Sequence, residues 1–436
     1  MDSAYQVLII FAVVVVVLIK EWIPIGVVGI AIPFILVLLN ISTTADAMSY
    51  FISEVVVLIP CVYIMGDSLY RVGVADKIGN MILHLASRLS RKHPKWSEVV
   101  VMSIIILGSG AASLLLPRYG VTGAFMAVVV AVARSTKISR TKLLLVLAMA
   151  ANIWGNNTLV STPPNMLANG VLEAAGSEVF GFFEFALIGV PIAVAGSFTL
   201  LIMHRKISCN IDEHEMEKTE TTDAADHGES IIVPRWQVIV TCADFLIFFV
   251  FIMLEDVIDI PGHVSGMFCV AVLLCMRIMT EKHACSIVGW DVAAFCAGIQ
   301  ALGNAVETSG AGDMIAGAAM AVLGNSPSPF LITGVLFILA AAMTQFMSNT
   351  GAAGLLFPIG LALAAKLNAD PRAVIMAVTM GCGASFVTPM ATTSNTMVVG
   401  LGNIQFKDFV KTGMPLMIVT TIVCTIGIPL IWPFFE

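Results

Sequence analysis

Long apolar runs alternate with short polar or charged segments along most of this chain. A helix needs about 20 mainly apolar residues to cross hydrocarbon, and the pattern predicts spans near 6–19, 22–39, 44–66, 142–172, 181–204, 236–256, 262–283, 286–304, 371–402 and 408–432. Paired apolar segments at 97–116/120–133 and 328–347/351–365 predict hairpins. We therefore predict ten crossings and two re-entrant hairpins.

The composition supports this interpretation of the pattern. Hydrophobic residues make up 58% of the 436 residues, charged residues only 12%, and the mean hydropathy is +0.96. Such a chain cannot cover a soluble globule with a polar surface, so we predict an all-α polytopic membrane protein. The expected surroundings are a lipid bilayer, and nucleic acid is not expected as a partner.

The basic residues fix an orientation for the predicted spans. Of the 22 Lys and Arg residues, 19 fall on one side of the membrane, and by the positive-inside rule that side is the cytoplasm. Both termini are then external, and the charged segment 206–234 is a cytoplasmic linker. We expect a multi-pass protein of the inner cell membrane.

The chain contains an internal repeat. MGDSLYRVGVADKI (65–78) matches LGNAVETSGAGDMI (302–315) at a spacing of 237, and the polar residues of 158–170 match those of 388–400 at 230. The first unit is residues 1–205, with a hairpin at 97–133 and a broken helix at 142–172. The second unit is residues 235–436, with a hairpin at 328–365 and a broken helix at 371–402. Each has an odd number of spans, which predicts two inverted repeats, an arrangement typical of secondary transporters.

Chemistry is expected where the helices break. The segments NNTLVSTPPN and VTPMATTSNT carry Pro inside apolar spans, which removes a backbone donor and leaves carbonyls free. Hydroxyl, amide and carbonyl oxygens are hard ligands suited to Na+. We predict a first Na+ site at Asn156, Asn157 and Thr158, and a second at Ser348, Asn349, Thr388 and Thr392.

The two hairpin tips differ in charge. Ser348-Asn349-Thr350 in the second repeat aligns with Pro117-Arg118-Tyr119 in the first. A guanidinium at that position would repel Na+ and attract a carboxylate, and an intramembrane charge indicates function by default. An alternative is that Arg118 extends towards the cytoplasm, or that the alignment slips by one turn. The predicted substrate-binding residues are Arg118, Asn165, Ser348, Asn349, Thr350, Thr392, Asn395 and Thr396.

These motifs resemble those of the divalent anion:sodium symporter family within the ion-transporter superfamily. The resemblance is carried by Ser348-Asn349-Thr350 followed by Pro358, by STPPN at 161–165, and by KEWIPIGVVGIAIP at 20–33. It implies an elevator-type homodimer that carries dicarboxylates, citrate or sulfate, with each Ser-Asn-Thr triplet holding Na+ and substrate carboxylates. Only the second triplet is present here, so coupling to one Na+, coupling to H+ and anion exchange all remain open.

Other functions are less well supported by the residues. A cation/proton antiporter needs a titratable carboxylate, and neither the breaks nor the hairpin tips contain Asp or Glu. Carriers of inorganic oxyanions such as sulfate or arsenite in the same superfamily remain alternatives. Gly108-Ser109-Gly110 lacks a nearby His, which disfavours an intramembrane enzyme. No cofactor is expected beyond Na+ as a coupling ion.

Overall fold

A computed structural model of the chain describes residues 3–20, 22–73, 97–114, 116, 118–136, 138–203, 234–253, 260–315, 317 and 327–435. Throughout these ranges the regular structure is helical, with no β-strand. The α-helices, in chain order, are α1 Ser3–Lys20, α2 Ile25–Leu38, α3 Thr44–Ser49, α4 Glu54–Arg71, α5 Ser97–Ser113, α6 Arg118–Thr136, α7 Arg140–Trp154, α8 Pro163–Ala174, α9 Ala186–Ile202, α10 Arg235–Met253, α11 Gly262–Cys275, α12 Glu281–Ile287, α13 Trp290–Thr308, α14 Pro329–Met343, α15 Asn349–Leu367, α16 Pro371–Gly383, α17 Thr393–Gly402 and α18 Phe406–Ile431. The predicted linker 206–234 lies outside the described residues except for Pro234.

Local chemistry explains where several helices begin and end. Ser328 accepts a hydrogen bond from the Leu331 backbone N–H at 3.3 Å, and Pro329 follows as the first residue of α14. Proline is well placed there because its missing N–H would have no helical partner. Asn368 and Asn403 end α15 and α17 in the left-handed conformation, which Asn adopts more readily than most residues.

Length and hydropathy identify three described helices that could each cross a membrane: Thr44–Leu69, Asn349–Leu367 and Phe406–Ile431. A fourth span results if α12 and α13, which meet at a 50° bend, are counted together. Gly289 at that bend has a φ of 64°, a conformation that glycine adopts without strain. The remaining apolar helices of 10–17 residues are Ser3–Leu18, Ile25–Leu38, Glu98–Ser113, Ala186–Ile202, Gly262–Cys275 and Pro329–Met343.

Two helices lie at the centre of the protein. Every residue of α7 from Leu143 to Ile153 is buried, and so is every residue of α16 from Ala373 to Gly383. A helix that is apolar on all sides belongs in a core rather than at a surface. α7 packs against α5, α6 and α17, whereas α16 packs against α14 and α15. These two helices are therefore buried up to Ile153 and Gly383 near their C-terminal ends, where non-helical backbone can be stabilised by protein groups.

α2 and α13 form a close contact through glycines. A Cβ at Gly298 would lie 2.3 Å from the Gly29 carbonyl oxygen, and a Cβ at Gly29 would lie 2.3 Å from the Ala294 carbonyl oxygen. Small residues let helix backbones approach closely, which gives membrane helices their packing energy. The α2–α13 interface therefore tolerates no side chain at these two positions.

We predict that Gly298→Ala destabilises the protein by roughly 1–3 kcal/mol, because an added methyl group overpacks the α2–α13 contact. Gly303→Ala, on the same helix, is the control, since no atom lies within 4 Å of its Cβ position. That substitution should be neutral or slightly stabilising, as Ala favours helix more than Gly does. Thermal unfolding of both purified variants measures the difference, and equal midpoints would contradict the close contact.

Candidate functional site

The first helix break separates α7 from α8. α7 ends at Trp154, a short 3-10 turn occupies Leu159–Ser161, and α8 begins at Pro163. Thr162 is extended, with φ −146° and ψ 146°, which is the conformation expected of a residue that precedes proline. The two consecutive prolines then start the new helix, where their missing N–H groups cost nothing.

A buried asparagine closes this break. Asn165 Nδ2 donates to the Thr158 carbonyl oxygen at 2.8 Å, and Thr162 Oγ1 donates to Asn165 Oδ1 at 2.9 Å. The prolines of this segment predict backbone carbonyls that are free to bind an ion. The Thr158 carbonyl instead has an internal partner, because a side chain that returns to the backbone replaces the hydrogen bond that the helix lost.

The second break repeats this arrangement. α16 ends at Gly383 and α17 begins at Thr393, after an extended Thr392 with φ −146° and ψ 154°. Asn395 Nδ2 donates to the Thr388 carbonyl oxygen at 2.9 Å and to the Ser385 carbonyl oxygen at 3.0 Å. In both breaks the asparagine thus reaches the carbonyl of the residue seven positions earlier.

Each break is also bonded to a hairpin tip. Thr158 Oγ1 donates to the Leu114 carbonyl oxygen at 3.2 Å, and Thr388 Oγ1 donates to the Gln345 carbonyl oxygen at 2.7 Å. Gln345 adds contacts in the second repeat, since its Oε1 accepts from the Val387 N–H at 3.0 Å. Each of the two hairpin tips is therefore held to a broken helix by the same kind of hydroxyl contact.

A cluster of oxygen atoms lies at the second tip. Asn349 Oδ1 accepts from Ser385 Oγ at 2.9 Å and from Thr344 Oγ1. The two hydroxyls are 3.2 Å apart, and Ser385 Oγ and Thr344 Oγ1 lie 3.2 and 3.1 Å from the Cys382 carbonyl oxygen. The cluster therefore contains two hydroxyl oxygens, one amide oxygen and one backbone carbonyl oxygen. All four are neutral, and all are hard oxygen atoms of the kind that bind metal cations.

The first tip carries a buried guanidinium. Arg118 is the first residue of α6 and is only 7% exposed. Its Nη2 donates to Asn156 Oδ1 at 2.8 Å, while Nη1 is buried without a hydrogen-bond partner among the described residues. No described carboxylate forms an ion pair with it. A buried charge without a counter-charge is strongly unfavourable.

The first break and the second break come into contact at the end of α7. A Cβ at Gly383 would lie 2.1 Å from Asn156 Nδ2, so the side chain that binds Arg118 packs directly against the second break. One turn earlier, Asn152 Nδ2 donates to Asn395 Oδ1 at 2.8 Å. The guanidinium and the oxygen cluster therefore belong to one polar region between the breaks.

The remaining predicted site residues lie around this region in different ways. Ser348 is exposed and caps α15 by accepting from the Gly351 N–H at 3.1 Å, whereas Thr350 is buried. Thr396 is exposed and donates to the Pro389 carbonyl oxygen at 2.9 Å. Asn157 is buried; its Nδ2 donates to the Trp154 carbonyl oxygen at 2.6 Å, and its Oδ1 has no hydrogen-bond partner within the part of the chain that the structure describes.

Four polar residues at this site were not predicted from the sequence: Asn152, Thr344, Gln345 and Ser385. Asn152 stands alone in the apolar run LLLVLAMAANIW, where a single amide gives little signal. Thr344 and Gln345 do give a sequence signal, because these two polar residues follow the apolar helix α14 and precede the hairpin tip that begins at Ser348. Ser385 lies two positions after the end of α16, in the segment Gly383-Ala384-Ser385. A run of small residues gives no sequence signal for a ligand.

The sequence profile of the citrate transporter family matches residues 14–379 and, in an overlapping match, residues 249–435. The transporter YfbS of Escherichia coli is 30% identical over 256 residues, which are 58% of this chain and 39% of YfbS. The sodium-dependent dicarboxylate transporter SdcS of Staphylococcus saprophyticus is 23% identical over 67% of this chain and 59% of SdcS. The human Na(+)/dicarboxylate cotransporter 3 is 25% identical over 61% of this chain. The matched part spans 39%, 59% and 51% of these three relatives, less than two thirds of each.

Two solved structures share the fold. The YdaH transporter of Alcanivorax borkumensis aligns with a TM-score of 0.59 over 89% of this chain and 88% of its own, at 13% identity. MtrF of Neisseria gonorrhoeae, from a class of antimetabolite efflux pumps, aligns with a TM-score of 0.58 over 92% and 85%, also at 13% identity. The prediction of an all-α polytopic transporter fold is thereby confirmed.

We predict that Asn395→Ala lowers the thermal unfolding midpoint more than Asn165→Ala does. Both substitutions leave a buried carbonyl without its donor, at about 1–3 kcal/mol each. Asn395 bonds to two carbonyls and also accepts from Asn152, whereas Asn165 bonds only within its own break. Equal midpoints would mean that the additional contacts of Asn395 contribute nothing to stability.

Proposed function

The chain belongs to the citrate transporter family, in keeping with its resemblance to the divalent anion:sodium symporters, and we propose that it is a secondary carrier of a small organic anion. Di- and tricarboxylates are the proposed substrate class. The names of the relatives support this proposal, because SdcS and the human protein carry dicarboxylates with sodium. A carrier moves its substrate unchanged, so we assign no enzymatic activity to the chain.

The observation that carries the proposal is the buried guanidinium of Arg118. Taking a charge out of water costs several kcal/mol unless a counter-charge and hydrogen bonds compensate. Among the described residues, Arg118 has one neutral partner, Asn156, and one free Nη1. A carboxylate of the substrate supplies both missing elements, since its two oxygens match the planar fork of the guanidinium.

The oxygen cluster at the second tip supports Na+ as the coupling ion. Asn349 Oδ1, the Ser385 and Thr344 hydroxyls and the Cys382 carbonyl offer four neutral oxygens close together. Hard oxygen ligands from unwound backbone and hydroxyl groups are typical of Na+ sites in such carriers. Arg118 occupies the corresponding position of the first repeat, so the proposal assigns the Na+ site to the second repeat alone. The residues predicted for a first Na+ site then have other roles. Asn156 binds the guanidinium, and Asn157 and Thr158 stabilise the first break.

We also propose that residues 1–205 and 235–436 are inverted repeats that work by an elevator mechanism. The matching bonds of Asn165 and Asn395, and of Thr158 and Thr388, support a repeat. Because each hairpin tip is bonded to a break, tips and breaks are suited to move together as one body. A homodimer in the inner membrane, with external termini and a cytoplasmic linker, completes the proposal.

We expect liposomes with the purified protein to take up citrate or succinate, and Arg118→Ala to reduce that uptake to background. Leaving a buried carboxylate without its counter-charge costs on the order of 2–5 kcal/mol. Arg118→Lys should keep part of the activity with a raised KM, because the charge remains while the bidentate geometry is lost. Uptake of labelled anions at graded concentrations measures both effects.

The matched control is Arg372→Lys. Arg372 is paired with Glu178 and Glu184 at the end of α16 opposite to the second break, so this variant should keep the wild-type KM. An unchanged KM in Arg118→Ala would refute the assignment of Arg118. Sulfate and arsenite belong in the same panel, and uptake restricted to them would make the chain an inorganic oxyanion carrier.

We predict that Ser385→Ala raises the Na+ concentration for half-maximal uptake by about tenfold, because losing one of few ligands costs about 1.4 kcal/mol or more. Uptake is measured under an imposed Na+ gradient, with K+ replacing Na+ and with a pH gradient as controls. If uptake by the wild-type protein does not depend on Na+ but does depend on the pH gradient, the coupling ion is H+ and not Na+.

A further inference from the structure

Asn152 is the polar residue that connects α7 to the second break. It is fully buried, and its Nδ2 donates to Asn395 Oδ1 at 2.8 Å. The same nitrogen lies 3.4 Å from the Ser385 carbonyl oxygen and 3.4 Å from Thr392 Oγ1. These three partners all lie in the second repeat, 233 to 243 residues away in sequence.

The direction of this hydrogen bond is fixed by its surroundings. Asn395 Nδ2 already donates to two carbonyl oxygens, at Thr388 and Ser385, and a carbonyl can only accept. Asn395 Oδ1 must therefore accept, and Asn152 must donate. An acceptor at position 152 would face two further acceptors, Asn395 Oδ1 and the Ser385 carbonyl.

The contact extends from Asn152 to the hairpin tip through Ser385. The Ser385 carbonyl is held by Asn395 and by Asn152, and the hydroxyl of the same residue donates to Asn349 Oδ1 at 2.9 Å. Fixing that peptide therefore fixes the direction of the hydroxyl that orients Asn349.

The end of α7 also reaches the guanidinium. Asn156 lies four positions after Asn152 and accepts from Arg118 Nη2 at 2.8 Å. Asn156 follows the last helical residue, Trp154, by only two positions. One short segment, buried except for the partly buried Trp154, thus contacts both the anion-attracting residue and the support of the oxygen cluster.

We infer that Asn152 is a positioning residue that holds the Ser385–Asn349 cluster at a fixed place relative to Arg118, so that the cation and anion subsites are coupled through α7. The inference rests on the proposed function, because it assigns Arg118 and the cluster to anion and cation. Coupling of this kind is reciprocal: the cation strengthens anion binding and the anion strengthens cation binding by the same factor.

The test compares Asn152→Ala and Asn152→Leu in two measurements. Leu has nearly the shape of Asn but carries no hydrogen-bond donor in any protonation state, so it separates hydrogen bonding from packing. Asn169→Ala is the control: Asn169 is a buried amide whose side chain, among the described residues, bonds to Phe180 in its own repeat. The measurements are citrate and succinate uptake at low and saturating Na+, and backbone hydrogen exchange of segments 344–351, 384–396 and 155–163.

Both Asn152 variants should raise the anion KM at low Na+ by roughly tenfold, as expected when one buried acceptor loses its donor. The maximal rate at saturating anion and Na+ should stay within about twofold of wild type, since the residue touches neither ligand. Hydrogen exchange should rise in 384–396 and in the tip 344–351, with 155–163 unchanged. Asn169→Ala should change neither KM nor exchange at the second tip.

Wild-type KM in Asn152→Leu would overturn the inference, because packing alone would then explain the residue. Faster exchange confined to 384–396 would overturn it too, since the effect must reach Asn349. If wild-type protein takes up neither citrate nor succinate, the proposed function fails separately. The exchange of 344–351 then decides the inference alone: a rise in both variants supports the positioning of Asn349, and no rise refutes it.

Discussion

The fold depends on how backbone groups are satisfied where two central helices are interrupted. In hydrocarbon an unpaired carbonyl or N–H costs several kcal/mol, so a break survives only with internal partners or in a watery cavity. Here Asn165 and Asn395 each return to a carbonyl seven residues earlier, and Thr158 and Thr388 bond to the hairpin tips. These side chains stabilise unwound backbone at the core, which is the condition for having polar ligands there at all.

The two breaks share this framework, but the hairpin tips bonded to them differ in charge. At one hairpin tip the protein offers neutral oxygens around Asn349, and at the other the buried guanidinium of Arg118. Neutral oxygens attract a cation, whereas a guanidinium excludes one and attracts a carboxylate. Two similar local structures thus present opposite electrostatic preferences, and this difference is the basis of the proposal of an anion carrier with one cation site.

Much of the fold could be predicted from the sequence because the signals are local or periodic. Long apolar runs predicted helices, and prolines beside Thr and Asn predicted breaks at Asn165 and Asn395. The role of these two residues could not be predicted, because the sequence does not show whether a backbone carbonyl in a break is free or is hydrogen-bonded to a side chain. Asn152 could not be found either, because its meaning comes from partners 233 to 243 residues away. Single polar residues in apolar helices gain a role only from tertiary contacts.

Asn152, in the last turn of α7, and Asn156, two residues after that helix ends, bear on how a carrier of this kind would couple its ligands. The proposed anion and cation subsites are both reached from this one short segment, and close-packed cores deform little. Asn156 contacts Arg118 and packs on Gly383, while Asn152 supports Ser385. A shift at either proposed subsite therefore acts on the same short stretch of backbone. Coupling under this proposal requires no long pathway across the protein, because the two proposed subsites share their support at the end of α7.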